Sequence, residues 1–123
     1  RPRPTDLFDR ADLEMTTMAL PLELHPAALA RVRKGGGPSR AAEVAKPNQR
    51  LRFWALVVAD KEVATEKGER MQFVTFEDET GLAEAVAFPD AIRKRQRPFR
   101  VGEIVCVSGT STRQDDLPVF EVA

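Results

Sequence analysis

The chain has 123 residues with 42% apolar side chains, which allows one compact domain with a modest core and leaves no room for two. Nineteen Lys and Arg balance nineteen Asp and Glu, so a case for a polyanionic partner must rest on where the charges sit. One cysteine and one histidine, no membrane-length apolar run and no signal-peptide pattern exclude an internal disulfide, a conventional zinc site and a spanning helix, which fits a cytoplasmic protein.

In chain order, residues 1–49 contain no β-rich run and are punctuated by Pro2, Pro4, Pro21, Pro26, Pro38 and Pro47. Thr5-Asp6 can cap a short helix through about Leu13, and Pro26 suits the first turn of a helix over Ala27–Arg33. Gly35-Gly36-Gly37-Pro38-Ser39 reads as a flexible linker. Arg31, Arg33, Lys34, Arg40, Lys46 and Arg50 make a basic stretch broken only by Glu43, suited to touching nucleic acid or simply to being solvated. The start at Arg1 rather than Met reads as a piece of a longer or processed protein. Residues 1–49 are expected to be a partly helical connector, and residues 50–123 the folded domain.

From Arg50 onward the pattern becomes strands: Leu51–Ala59, Met71–Phe76, Leu82–Phe88, Glu103–Thr110 and Leu117–Val122. Lys67-Gly68, Asp78–Gly81 and Arg113–Asp116 supply the turns. Pro89–Arg97 has helical spacing with Pro at its first position. Five strands with one short helix between the third and fourth predict an all-β fold, a five-stranded OB-fold barrel.

The run Gly68–Gly81, followed by Leu82–Phe88 and Pro89, resembles the OB-fold near the C-terminus of bacterial DNA polymerase III alpha subunits, in the replicative or the error-prone branch. Leu51-Arg52-Phe53-Trp54-Ala55-Leu56-Val57 resembles the family's first strand, with Ala55 where the family often has Gly. Upstream, Glu14–Pro26 is similar to a stretch that precedes the OB domain, its His25-Pro26 pair retained. The resemblance implies a non-catalytic module that holds single-stranded template, in replication or translesion synthesis, next to other parts of the polymerase and replisome. The same strand order also resembles anticodon-binding domains of class II aminoacyl-tRNA synthetases. In those, an aromatic on the second strand stacks on a base, and Phe73 is the matching residue.

Alternation along the second strand sends Val74 and Phe76 to one face and Met71, Phe73 and Thr75 to the other. With Val74 and Phe76 inside, Phe73 stands outside as a stacking platform worth about 1–3 kcal/mol per base. The alternative is that it packs under a loop or a neighbouring domain. Trp54 shares a face with Arg52, a pair suited to a stacked base and its phosphate. Leu56 and Val58 have the same parity, so that strand also reads as buried on both sides, with Trp54 in the core or an interface. Arg93, Lys94, Arg95, Arg97 and Arg100 form a basic run without an acid, suited to salt-sensitive phosphate contacts or to a solvated helix face. Lys61, Lys67 and Arg70 in the first hairpin, and Arg113 in the last, belong to the loops that flank an OB binding face. Glu84 should point outward near Phe73, where it repels phosphate, accepts from a base amine, or pairs with Arg70.

No catalytic, metal or cofactor site assembles from the residues. Glu77, Asp78 and Glu79 point alternately and read as a turn, Asp78 capping amides and Gly81 taking positive φ. The triple Gly lacks the Gly-Lys-Ser/Thr of a phosphate loop. Ser108 and Ser111 have no histidine beside them, and Cys106 between Val105 and Val107 reads as a small core residue. Single-stranded DNA binding is therefore the expected function. The alternatives are a docking domain for replication partners and an anticodon-binding domain.

Overall fold

The computed structural model describes residues 25–123, so the helix expected through Leu13 and most of the Glu14–Pro26 stretch lie outside the described residues. Strands β1 (Arg50–Ala64), β2 (Arg70–Asp78), β3 (Gly81–Ala87), β4 (Ile104–Gln114) and β5 (Leu117–Val122) close into a barrel in the order β1-β2-β3-β5-β4. Helix α1 (Pro26–Lys34) and a 3₁₀ turn (Ala41–Ala45) precede the barrel, and helix α2 (Pro89–Arg95) lies between β3 and β4. This is the OB-fold expected from the element order.

Period-two alternation places the core. Leu51, Phe53, Ala55 and Val57 of β1, Val74 and Phe76 of β2, and Phe120 of β5 point inward and are buried. Phe53, Phe76, Phe99 and Phe120 form an edge-on and tilted aromatic cluster, with the Phe53 and Phe120 rings 5.0 Å apart. Barrel closure is tight where Gly109 faces β5: a Cβ there would lie 2.1 Å from the Glu121 carbonyl oxygen. One end of the barrel is sealed by Gln72, fully buried. Its amide donates to Phe99 O and accepts from Phe99 N, both at 2.8 Å. Ala91 and Ile92 of α2 pack over the same end.

β1 serves two partners. Arg50–Leu56 pairs with β4, and Leu56–Ala64 pairs with β2, with an irregularity between Val57 and Ala59 that lets the strand bend. It runs to Ala64, past the apolar run that ends at Ala59. The last stretch forms a solvated ribbon with β2 and carries no apolar alternation.

Because β2 joins β1 only from Leu56 onward, the first half of β1 has one edge without a strand. Residues 35–39 cover it, and this corrects the expectation of a flexible linker. Ser39 N donates to Arg52 O at 2.9 Å, and Arg52 N donates to Ser39 Oγ at 3.2 Å. Gly37 is buried with φ 64° against Trp54, where a Cβ would come within 2.7 Å of Cδ1. Glycine is required there for close approach rather than for freedom. Further on, Ala41 and Val44 of the 3₁₀ turn enter the barrel core, and Ser111 Oγ accepts from Gln49 N at 2.9 Å and donates to Lys46 O.

Candidate nucleic-acid interface

β2 carries the outer row that matters most. Phe73 is 45% exposed; it sits opposite Lys61 of β1 on one side and Val86 of β3 on the other. Met71, half-buried, lies opposite Val63, and Phe88 is 42% exposed just beyond the end of β3. An aromatic ring flanked by a lysine and an aliphatic floor offers a surface for one base and its phosphate. Toward the β2–β3 turn the row becomes acidic. Glu84 lies opposite Thr75 and accepts from Thr75 Oγ1 at 3.0 Å. The Arg70–Glu84 pair raised from the sequence does not form. Arg70 lies five positions along β2 from Thr75, roughly 16 Å away, and its ion pair is with Glu62 at 3.6 Å.

Arg52 and Trp54 are not brought to Phe73. They stand on the half of β1 that pairs with β4, and Phe73 faces Lys61, roughly 23 Å beyond Trp54 and roughly 30 Å beyond Arg52 along the strand path. Trp54 is occupied by its own chain: its indole N–H donates to Gly35 O at 2.9 Å, Gly37 lies against the ring, and Lys34 Nζ is 5.6 Å from the ring centroid. Cys106, opposite Trp54, is half-buried on this outer side and does not belong to the core; its neighbours in sequence alternate inward, and it does not.

The basic run on α2 is matched by acids on the same helix, in the loop after it and in the β1–β2 hairpin. Arg93 pairs with Asp90 and with Glu69 (3.1 Å), and Arg95 and Arg97 pair with Glu103 at 2.6 and 3.0 Å. These partners hold the Arg93 guanidinium pKa above its ordinary value, Asp90 contributing most and Glu69 next. Burial pushes the Glu103 carboxyl up, but the Arg100 backbone N–H and the Arg95 and Arg97 guanidinium groups outweigh it and hold the carboxyl below the usual range. Arg95 also lies over the Phe99 ring at 3.9 Å. Lys94 and Arg100 are exposed and make no ion pair among the described residues. Arg113 donates to Asp116 O of its own loop at 3.1 Å and to Ala45 O at the end of the 3₁₀ turn at 3.5 Å.

The Glu77-Asp78-Glu79 turn has a role the sequence did not reveal. Asp78 is buried and caps as expected, accepting from Thr80 N (2.8 Å) and Thr80 Oγ1 (2.6 Å). It also accepts from Ala41 N at 2.8 Å, far upstream. Glu79 binds Arg31 at 2.6 Å and Arg40 at 3.3 Å. Burial raises the Glu79 carboxyl, yet Arg31, its own backbone N–H and Arg40 more than offset this and hold it below the usual range. His25 caps α1 by accepting from Ala27 N through Nδ1 at 2.9 Å, which leaves Nε2–H to donate to Glu77 at 2.7 Å. The turn thus fastens residues 25–41 to the barrel. Among the described residues no three His, Cys, Asp or Glu side chains converge on a point suited to a metal ion, and no helix is long and apolar enough to cross a membrane.

Residues 55–118 match a family described as an OB-fold nucleic acid binding domain. The chain is similar to DNA polymerase III subunit alpha of Bacillus subtilis, 29% identical over 114 residues that cover 90% of this chain and 10% of that protein. It is also similar to the error-prone DNA polymerase of Burkholderia mallei, 34% identical over 104 residues, 82% of this chain and 10% of that protein. The chain thus spans about a tenth of the length of the curated relatives it matches. Among solved structures, an SSB domain from Synechococcus sp. superposes with a TM-score of 0.51 at 14% identity, covering 62% of this chain and 90% of that one, a likeness of fold alone.

Proposed function

The chain belongs to the OB-fold nucleic acid binding domain family, and on that premise we propose that it binds single-stranded DNA as a non-catalytic module of a DNA polymerase III alpha-type subunit, holding template near the polymerase during replication or translesion synthesis. Its place of action in this reading is the cytoplasm, beside the rest of the polymerase and the replisome. The observation that carries the reading is the bare ring of Phe73, in the middle of the β2–β3 face and level with Lys61. That is where this fold binds oligonucleotides.

The footprint follows from the charges. Phe73 and Phe88 stack bases, and Lys61, Arg70, Lys94 and Arg100 supply phosphate contacts. Arg97 joins them by exchanging Glu103 for phosphate oxygens, while Arg93 keeps its carboxylate partners. Glu84 bounds the footprint toward the β2–β3 turn, because an exposed carboxylate repels the backbone. Arg52, Trp54 and Arg113 lie outside it.

Fluorescence anisotropy of a labelled single-stranded oligodeoxynucleotide tests this reading. Binding should weaken steeply as salt rises, and Phe73→Ala should weaken it at every salt concentration. Binding indifferent to both would sink the proposal. A preference for RNA over DNA of the same sequence would instead move the ligand toward the anticodon type, since only a reader of the 2′-hydroxyl separates the two.

A further inference from the structure

Beyond the Phe73 face, the barrel has an open cleft of about 480 Å³ between α2 and the β1–β2 hairpin, lined by Glu69, Arg70, Pro89, Ile92, Arg93 and Gln96, with Arg97 at its rim. That volume lies within the range of sites that take small ligands, about 300–1,000 Å³. The cleft borders one edge of the face just described. Arg70 begins β2 one residue before Met71, and Pro89 directly follows the exposed Phe88. Arg70 has the inward parity of Gln72, so a strand stacked on Phe73 reaches the mouth by turning over the edge of β2 past Phe88.

We propose that this cleft receives one adenine base of the bound strand, an inference that rests on the single-stranded DNA reading above. Three features select a base over a bare phosphate. Pro89 and Ile92 give the cleft an apolar floor, which suits a π-face and not an anion. Arg93, tied to Glu69 across the opening at 3.1 Å and to Asp90 beside it, presents a fixed guanidinium plane whose charge is already matched. A base stacks on such a plane. Gln96 then offers the recognition group. Its side-chain amide makes no hydrogen bond among the described residues, and an amide pairs in bidentate fashion with the N6 and N7 edge of adenine, donating to one atom and accepting from the other.

The backbone of Gln96 supports this role. It ends α2 in the left-handed region, φ 72°, its N–H donating to Ile92 O and Arg93 O. Glycine is the residue that ends a helix this way without cost. A glutamine held there keeps a strained backbone and gains a side chain that lines the cleft, the kind of local cost that marks functional positions.

The test uses anisotropy at fixed salt, with an all-dT oligonucleotide and a set of equal length carrying a single dA at successive positions. At one register the dA should tighten binding about fivefold to tenfold, the lower part of the range for a bidentate base contact. Gln96→Gly should erase that difference while the melting temperature stays level or rises, because glycine relieves the left-handed backbone. Since the fold is kept, loss of preference cannot be ascribed to unfolding. If no register prefers dA, or if the preference survives Gln96→Gly, the adenine site is wrong. An all-dT strand that binds through Phe73 without any dA effect overturns the cleft proposal alone. Failure of every oligonucleotide to bind overturns both readings.

Discussion

Trp54 and Phe73 are both aromatic, both on strands that share a barrel, and both turned away from the core, yet the chain treats them oppositely. Around Trp54 the protein closes over itself: residues 25–41 lie on the first half of β1, held by Gly35 O, by Ser39 and by the acidic β2–β3 turn. Around Phe73 no segment among the described residues arrives, and the ring stays 45% exposed between Lys61 and Val86. A bare strand edge must be covered, whereas a bare ring on a fully paired strand costs only its own apolar area. The fold therefore spends its N-terminal segment on the edge beside Trp54 and leaves Phe73 uncovered.

The contrast is broken most severely at Asp78, which anchors the covered region. Its buried carboxylate accepts from Ala41 N, Thr80 N and Thr80 Oγ1. Asp78→Ala orphans two amides and should lower the unfolding free energy by about 3 kcal/mol in urea titrations. Asp78→Asn keeps one acceptor oxygen and should lose less. A change for the alanine variant within error of zero would mean that residues 25–41 hold to the barrel without this turn.

Next in size is the binding contrast itself. Phe73→Ala should weaken single-stranded DNA binding by about 1–3 kcal/mol and leave the melting temperature nearly unchanged, since the ring is half out of the fold already. Trp54→Ala should do the reverse, lowering the melting temperature and changing affinity little. Equal loss of affinity in both would erase the distinction between covered and open aromatics.

This pair also shows what the sequence could tell. β2 keeps strict alternation, so the inward Val74 and Phe76 and the outward Phe73 are legible residue by residue. Trp54 is not legible, because its partner is a backbone carbonyl nineteen positions upstream in a Gly-rich run that carries no side-chain signature. The same run looked like a linker because glycine serves freedom and close approach alike. The acid-free basic run on α2 misled for a related reason. Of the acids that match it, Asp90 lies three residues before Arg93 and Glu103 six residues after Arg97, just outside the run, and only Glu69 of the hairpin is brought near by the fold. The cleft beside Gln96 is likewise made by two segments distant in the chain.

Gly37→Ala sharpens the comparison at lower cost. An alanine must take φ 64° and place Cβ within 2.7 Å of Trp54 Cδ1. We expect about 1–2 kcal/mol of destabilisation, with residues 35–39 lifting from β1. Trp54 is the only tryptophan, so its emission should shift to the red as water reaches the ring. DNA binding through Phe73 should persist, because β2 and the hairpin are untouched. A blue or unchanged emission would show the cover staying in place.

The smallest effect expected is with pH, and it separates the two regions once more. Glu79 fastens the covered side and Glu103 braces α2 on the open side, and both carboxyls are held below the ordinary carboxylate range. A depressed carboxyl stabilises the fold fully above its unfolded pKa and loses that contribution as pH falls through its folded value. Stability from either group is thus complete above about pH 5 and declines from about pH 4.5 downward. Each carboxylate is partly exposed, so each contribution is a fraction of what a buried pair would give. Glu79→Gln should flatten the acid limb of the stability curve and make Trp54 emission independent of pH in that range. Glu103→Gln should flatten the same limb and leave the pH response of the emission intact, because α2 does not touch the cover. If both variants changed the emission alike, the covered and open regions would be one cooperative unit, and the independence assumed for Phe73 would fail with it.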